Sequence, residues 1–472
     1  MTDINEFSVS NNRVYFELDG EDFTVKYPDE YVWSREYLDL MKDIALCAWA
    51  NKLAFSLDDE NYLCFDVSSE QVGFWKWIAY RVHCLDVYQS GDNQMPKDLR
   101  EVNVETGSDP SSLVPVFLPE QDYSGALTCQ STGKESVATN LILKENGIGP
   151  IYSMFYEYPS RAATHKISGR EEYESYFDNP TVRVWSDTNT LQSTLERMTH
   201  EFEPVTCFWE IMYAVISTPL CVEHGLKYLM MGNQRDTGEA FPSEEFNYVA
   251  FEEINQAWIF EQAYSDYLHD VHDVPVVHSS NVRPFTGYGC RKIIAEYEPD
   301  FLQYMQNCLR PKPSKRWCLR CYKCNNSWVE FLACEFDPAD AGLSHDVLVE
   351  NPHFAANRED YGFSFPRYDR DEHVWADEGG SDYFYDEVEE TLTREQSRAF
   401  DEWRRRQESR VDLEGEKYEE MVKNNGTFIE PIARCIPDEI VNDMGLPHVN
   451  WTPEALDPNV WSSYASEWRS FY

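Results

Sequence analysis

The sequence has few basic residues and no hydrophobic run long enough to cross a membrane. Only 40 Lys and Arg residues accompany 84 Asp and Glu residues, so the formal net charge of the 472-residue chain is −44 at pH 7. Because such a surface repels phosphate backbones and anionic lipid headgroups, we expect neither a nucleic acid nor a membrane as a partner. The longest apolar run, residues 208–222, contains Glu210 and Pro219 and is shorter than the about 20 residues of a membrane-spanning helix.

The pattern of a secretory signal is also missing. Residues 1–7 are polar and acidic and do not combine a basic start with an apolar core. Most of the 13 cysteines are scattered along the chain, which suits a reducing compartment. We therefore expect a cytoplasmic protein. The acid excess fits a cytoplasm with molar salt, where charge repulsion is screened within about 3 Å, and it fits equally a protein encoded by a virus or mobile element.

The chain has no internal repeat or low-complexity tract, so its domains are predicted from residue patterning. A 42% hydrophobic content at this length predicts two or three domains. A hairpin signal at residues 14–27 indicates an N-terminal α+β domain over residues 1–120, whose polar residues 90–112 have the composition of a linker or surface loop. We expect a catalytic domain over residues 121–350. An acidic C-terminal extension over residues 351–472 has no cluster of candidate ligands, and we predict that it is peripheral to the chemistry.

Between residues 121 and 350, apolar strands alternate with helices. The strand-like segments are residues 126–129, 151–155, 182–185 and 228–231. This alternation predicts an α/β domain with a mostly parallel, doubly wound sheet. Ligands of such sheets bind at the carboxyl ends of strands, where the loop at residues 131–136 and the turn at residues 232–236 fall.

The loop at residues 131–136 has the composition of a phosphate-binding loop. Between a predicted strand and a predicted helix it has the sequence Ser131-Thr132-Gly133-Lys134-Glu135-Ser136. Gly133 permits close approach of the backbone to a phosphate, Lys134 supplies a cation, and Glu135 is placed to help hold Mg²⁺. The Walker-type sequence GxxxxGK[ST] is absent from the chain. An ordinary strand-to-helix turn is the alternative interpretation.

Four cysteines form a second candidate site. They are spaced C-x9-C-x2-C-x2-C, at Cys308, Cys318, Cys321 and Cys324. Four thiolates at this spacing can close a tetrahedral Zn²⁺ site, and a site closed by four protein ligands has a structural role. A redox pair and a disulfide framework are the alternatives.

A basic stretch is interleaved with these cysteines and contains no acidic residue. Its six cations are Arg310, Lys312, Lys315, Arg316, Arg320 and Lys323. One interpretation is that they offset the negative charge of a thiolate-bound metal. The other is that they form a patch for an anionic substrate or a nucleotide phosphate. The two interpretations are compatible.

These segments together resemble the PP-loop ATP pyrophosphatase superfamily. Residues 131–136 are similar to its SGGxDS signature, with Thr132 in place of a glycine and Glu135 in place of the aspartate. The cysteine spacing is similar to the zinc site of the 7-cyano-7-deazaguanine synthase branch. The resemblance covers residues 120–350.

Within the superfamily, the muramyl-dipeptide L-glutamate epimerase family is the nearer match. Residues 253–261 resemble its E-[IV]-N-H-Q and F-E motifs, with Gln256 in place of the histidine. Residues 280–287 resemble its LRP-containing segment, and residues 316–324 resemble its R-W-C-x-x-C-x-K-C run. The turn at Gly232 is similar to its G-N-E turn. The family's C-terminal K-P-F-E-C-V-G segment has no recognisable counterpart here.

The resemblance implies an enzyme that cleaves ATP to AMP and pyrophosphate and adenylates a carboxylate-bearing small molecule, with Mg²⁺ and a structural Zn²⁺. A nitrile-forming enzyme like 7-cyano-7-deazaguanine synthase and a catalytically degenerate nucleotide-binding interaction protein are the alternatives. The implied catalytic residues are Lys134, Glu135, Glu253, Asn255 and Arg283. The implied nucleotide-binding residues are Ser131, Thr132, Gly133, Lys134, Glu135, Ser136, Gly232 and Asn233. The implied metal ligands are the four cysteines.

Some of these residues also have simpler interpretations. Glu253, Asn255 and Glu261 fit an ordinary polar helix surface, and Arg283 fits a cation on a surface loop. His278 follows two valines and is interpreted as a buried histidine without a catalytic role.

Overall fold

The computed structural model describes residues 2–90, 95–107, 121–159, 163–188, 190, 208–234, 240–243, 248–251, 254–283, 285, 287–308, 316–319, 322–343 and 464–472. Of the predicted site residues, Glu253 and Cys321 lie outside these ranges. So do four cations of the basic stretch and nearly all of the predicted C-terminal extension.

The first half of the fold combines a three-stranded antiparallel meander with two long helices. The elements are β1 (Thr2–Ser10), β2 (Arg13–Leu18), β3 (Glu21–Lys26), α1 (Leu38–Ser56), β4 (Glu60–Leu63), α2 (Ser69–Ser90) and β5 (Asn103–Thr106). The predicted hairpin is confirmed as β2 and β3. Its turn residues Asp19 and Gly20 have φ values of 50° and 81°, the left-handed conformation that two-residue hairpin turns require.

The second half alternates strands with helices, as predicted. Its elements are β6 (Ala126–Gln130), α3 (Lys134–Glu145), β7 (Ile151–Glu157), α4 (Ala163–Tyr176), β8 (Thr181–Ser186), α5 (Trp209–Glu223), β9 (Tyr228–Met230), β10 (Ala240–Ser243), β11 (Tyr248–Phe251), α6 (Trp258–His272), β12 (Val277–Ser279), α7 (Gly287–Tyr297) and α8 (Tyr322–Ala333). Strands β10 and β11 pair only with each other in the described residues, as a separate antiparallel hairpin.

Ten strands form one sheet in the order β12-β9-β6-β7-β8-β3-β2-β1-β4-β5. The five strands from β12 to β8 are parallel, as are β1, β4 and β5, and only the pairs that involve β2 or β3 are antiparallel. The sheet is therefore mostly parallel, which confirms the predicted α/β class. Strand β3 pairs with β8 through Val25 and Lys26, so the two halves of the chain share one sheet.

One strand lies where the sequence predicted a linker or surface loop. Residues 103–106 form β5 at the edge of the sheet, in parallel register with β4. The four side chains of β5 are exposed or half-buried, so the strand has no apolar alternation that would reveal it in the sequence. The interpretation of residues 90–112 as a linker or surface loop is therefore wrong for this segment.

Helices cover both faces of the sheet. Successive residues of a strand point to opposite faces, and the core accordingly divides into two clusters. Leu127 of β6 belongs to the cluster that contains side chains of α1, α2, α5 and α6. Ala126 of the same strand belongs to the cluster that contains side chains of α3, α4, α7 and α8. No helix in the described residues is long and apolar enough to cross a membrane.

The last nine residues pack against α2 of the first half and α6 of the second half. Trp468 is buried, and Glu467 forms an ion pair with Arg81 and accepts a hydrogen bond from Trp77 Nε1 at 3.0 Å. A Cβ atom added at Gly73 of α2 would lie 2.9 Å from Tyr472 Cβ. The terminus is therefore part of the fold, on a surface formed by α2 and α6.

We expect Trp468→Ala to lower the free energy of unfolding by about 3–5 kcal/mol, because a fully buried indole leaves a large cavity. The loop at residues 131–136 should stay unchanged, because Trp468 packs on α2 and not on that loop. Denaturant titration measures the loss of stability. Met95→Ala, at a side chain that is 70% exposed, is the control. Equal unfolding midpoints for both variants would contradict this packing.

Candidate functional site

The loop at residues 131–136 joins an interior strand of the sheet to a helix. Strand β6 lies between β9 and β7, and its carboxyl end leads into Ser131. Helix α3 begins at Lys134, and its N-cap Gly133 has no side chain to bond the first turn. The N–H groups of that turn carry partial positive charge, so the arrangement suits an anion.

Two serines hold the loop in shape. The N–H of Ser131 donates to Ser136 Oγ at 3.3 Å, and the N–H of Gly133 donates to Ser131 Oγ at 3.3 Å. The hydroxyl of Ser136 donates to the carbonyl of Gly133 at 3.2 Å. These hydroxyls therefore stabilise the turn.

Thr132 adopts a backbone conformation that favours glycine. Its φ is +60°, which is rare for a β-branched residue, and its side chain is buried. The SGGxDS signature that residues 131–136 resemble has a glycine at this position, the residue type that this backbone conformation favours. Strain of about 1–3 kcal/mol at such a residue persists only where the surrounding structure imposes the conformation.

Lys134 and Glu135 form a charged pair at the start of α3. Lys134 Nζ lies 3.3 Å from Glu135 Oε1 and 3.8 Å from Glu330 Oε1. Burial lowers the pKa of Lys134, but the two carboxylates outweigh burial and raise this pKa above its ordinary value. Burial raises the pKa of Glu135, but Lys134 and Lys323 outweigh it and leave this pKa below its ordinary value. Both side chains are therefore charged at neutral pH.

Glu330 belongs to this charged group, and the sequence analysis missed it. Its carboxylate is buried on α8 and accepts a hydrogen bond from Arg291 Nε at 2.9 Å. Arg291 is itself fully buried and also donates to Ser327 Oγ at 3.2 Å. A signal existed, because Glu330 is the single charged residue between Lys323 and Glu335. A lone acid in an apolar helix predicts a buried partner.

The predicted turn at Gly232 lies against the start of α3. A Cβ atom added at Gly232 would lie 2.9 Å from Glu135 Cβ and 3.2 Å from Ser136 N. This proximity follows from the sheet order, because β9 and β6 are parallel neighbours and their carboxyl ends meet at one edge. The structure therefore brings together the two nucleotide-binding segments that the sequence predicted.

Behind the turn lies a buried polar network. Asn233 Nδ2 donates to Glu261 Oε1 at 2.8 Å, and the same oxygen accepts a hydrogen bond from Arg283 Nη2 at 2.6 Å. Arg283 Nη2 also donates to the carbonyl of Gln256 at 2.7 Å. All three side chains of the network are buried, so the surface interpretations of Glu261 and Arg283 are wrong.

Asn255 and His278 are buried near this network. Asn255 donates a hydrogen bond to Glu210 on α5, so it too is not a surface residue. His278 lies in β12, and its Nδ1 is 3.3 Å from the carbonyl oxygen of Leu229. Burial lowers the pKa of His278, which therefore stays neutral at pH 7. The prediction that His278 is buried is confirmed, but its Nε2 has no hydrogen-bond partner in the described residues, so it is not fully satisfied.

Three of the four predicted metal ligands converge. The Sγ atoms of Cys308, Cys318 and Cys324 lie within 4.8 Å of one another, and the last two are 3.8 Å apart. A tetrahedral Zn²⁺ with sulfur ligands at about 2.3 Å requires about 3.8 Å between sulfurs, so the spacing fits. The N–H of Cys318 donates to Cys308 Sγ at 3.2 Å, a bond that supports a thiolate. The arrangement can hold a metal ion.

Two cations of the basic stretch are described, and they have different surroundings. Arg316 Nη2 donates to Glu172 Oε1 at 2.9 Å, and its Nη1 donates to the carbonyl of Gln303 at 2.6 Å. Arg316 therefore joins the segment that contains the candidate metal ligands to α4. Lys323 lowers the pKa of Glu135 and so contributes positive potential at the loop.

Three segments therefore lie around the N-terminus of α3. They are the loop at residues 131–136, the turn at residues 232–233 and residues 307–308, which include the candidate metal ligand Cys308. The chemistry available there is the binding of an anion by N–H groups and a lysine, close to the half-buried carboxylate of Glu135, which can help to hold a cation. No protein-family model and no curated protein sequence matches this chain.

Proposed function

We propose that the protein binds ATP with Mg²⁺ at the N-terminus of α3 and uses it to adenylate a carboxylate substrate. The observation that carries this proposal is the start of α3, which has a glycine as its N-cap and lies at the carboxyl end of an interior parallel strand, with the charged side chain of Lys134 beside it. Backbone N–H groups, a helix dipole and a lysine together are the features that bind a polyphosphate.

In the proposed reaction a carboxylate oxygen of the substrate attacks the α-phosphorus of ATP. The bond from this phosphorus to the oxygen that bridges to the β-phosphorus breaks, and pyrophosphate leaves. Negative charge grows on the leaving pyrophosphate, so the N–H groups of the first turn and Lys134 Nζ stabilise the transition state more than the ground state. Mg²⁺ would neutralise phosphate charge, and Glu135 would help to hold it.

The buried network behind the turn is the proposed support for the substrate side of the site. Glu261 holds Arg283 and Asn233 in fixed positions through hydrogen bonds of 2.6 and 2.8 Å. Arg283 is therefore fixed near the carboxyl ends of β9 and β12, with its charge paired to Glu261. The carboxylate substrate is proposed on the resemblance, which favours an L-glutamyl compound.

The metal site has a structural role in this proposal. Cys308, Cys318 and Cys324 would hold Zn²⁺, with Cys321 as the fourth ligand implied by the spacing. The ion would hold the segment after α7 to the start of α8. Helix α8 also carries Glu330, which contacts Lys134, so the metal supports the phosphate loop indirectly.

The test is a screen for pyrophosphate release from ATP and Mg²⁺ with different carboxylates. Release with an L-glutamyl peptide supports the epimerase-like reaction, because an acyl-adenylate acidifies the neighbouring Cα–H, and solvent deuterium should then enter that position. Release with a deazaguanine carboxylate and ammonia would instead indicate a nitrile-forming enzyme. ATP binding without pyrophosphate release, for every carboxylate tested, would indicate a protein that binds nucleotide without turnover. That result would contradict the proposed catalysis.

A further inference from the structure

The side-chain amide of Asn307 contacts the start of α3 from outside the loop. Its Oδ1 accepts a hydrogen bond from the N–H of Lys134 at 3.2 Å. The same oxygen would lie 3.0 Å from a Cβ atom added at Gly133. Asn307 therefore performs the capping that Gly133 cannot, and it does so from a segment 173 residues further along the chain.

The donor end of this amide has no hydrogen-bond partner in the part of the chain that the structure describes. Asn307 Nδ2 is buried, and its position is fixed because Oδ1 is bonded to Lys134 N–H. Its two N–H bonds therefore lie beside the first turn of α3, where the helix dipole favours negative charge. Buried donors in native proteins nearly always have a hydrogen-bond partner, so we expect Asn307 Nδ2 to donate to an acceptor.

The neighbouring residue repeats the pattern. Gln306 is only 7% exposed, and both its Nε2 and its Oε1 lack partners among the described residues. Its backbone N–H donates to the carbonyl of Thr132 at 3.3 Å, so residue 306 contacts the loop directly. Two successive buried amides with unused donors thus border the loop at residues 131–136.

We infer that Asn307 is a ligand-binding residue that donates its side-chain N–H to the anion bound at the N-terminus of α3. The inference rests on the proposed function, because it requires an anion at that place. Cys308 follows directly and belongs to the candidate metal site, so the backbone of Asn307 is fixed on one side by the loop and on the other by the cysteine cluster. A donor held this firmly loses little entropy when the anion binds.

The experiment compares Asn307→Ala and Asn307→Asp by equilibrium titration with ATP and with inorganic triphosphate, each with Mg²⁺. Asn307→Ala removes the donor and should weaken binding of both ligands about tenfold. Asn307→Asp keeps the acceptor for Lys134 N–H, so its melting temperature should stay at or above that of the wild type. Its binding should be weaker still at low salt, and the additional loss should shrink in 1 M NaCl, because salt screens the new negative charge.

Asn103→Asp is the control for the charge change, because residue 103 is exposed on β5 at the opposite part of the sheet. It should bind both ligands as the wild type does. If both Asn307 variants bind normally while Lys134→Ala loses binding, this inference is wrong and the proposed function stands. If the wild-type protein binds neither ligand, the proposed function fails and the inference fails with it.

Discussion

Lys134→Ala should weaken ATP binding and pyrophosphate release by about 100-fold or more. The lysine is the only side-chain cation described in the first turn of α3, and an electrostatic donor at a developing charge contributes a factor of this size. Folding should be retained, because Arg291 still pairs with Glu330 and Lys323 still lies near Glu135. Nucleotide titration and a pyrophosphate assay give the two readouts, with circular dichroism as the check on folding.

Lys144→Ala is the matched control for this variant. Lys144 lies in the last turn of the same helix, where its side chain is 55% exposed and pairs with Glu298 at 2.8 Å. Removing it takes one positive charge from α3 without touching the loop, so both readouts should match the wild type. Equal losses in the two variants would mean that general charge, and not the position of Lys134, determines binding.

Cys324→Ser should release the metal and lower the free energy of unfolding by about 4 kcal/mol or more. Cys324 is fully buried at the start of α8, and loss of a structural metal removes binding energy that belongs to folding. Metal analysis of the wild-type protein should return about one zinc per chain. Chelation of that zinc should lower the melting temperature in the same way as the substitution.

Cys334→Ser is the control, since Cys334 is a partly buried cysteine directly after the end of α8 and is not in the cluster. It should keep its zinc and most of its stability. A wild-type preparation that is free of metal and stable would overturn the assignment of the cysteine cluster.

The sheet and the loop were predictable because their signals are local. Apolar runs such as those of β7 and β9 alternate with helical patterns, and a parallel sheet then follows from short connections. The six residues of the loop at 131–136 are contiguous, so the prediction of a phosphate-binding loop needed no knowledge of the fold. Edge strand β5 was missed because its side chains are largely exposed.

The rest of the site could not be predicted, because it depends on contacts between distant segments. Glu330 reaches Lys134 across about 200 positions of sequence, and Asn307 reaches the same residue from another segment. Neither belongs to a spacing rule that the sequence alone could reveal. The sequence indicated Glu261 only through a resemblance. In the structure Glu261 and Arg283 form a buried ion pair, and each neutralises the charge of the other.

The most direct test of the central claim is equilibrium binding of ATP with Mg²⁺ to the wild-type chain. The account predicts saturable binding of about one ATP per chain, with competition by inorganic pyrophosphate, because the loop and Lys134 would contact the phosphates. A non-hydrolysable analogue should bind with similar affinity. The absence of saturable binding by folded, zinc-loaded protein would contradict the assignment of residues 131–136 as a nucleotide site.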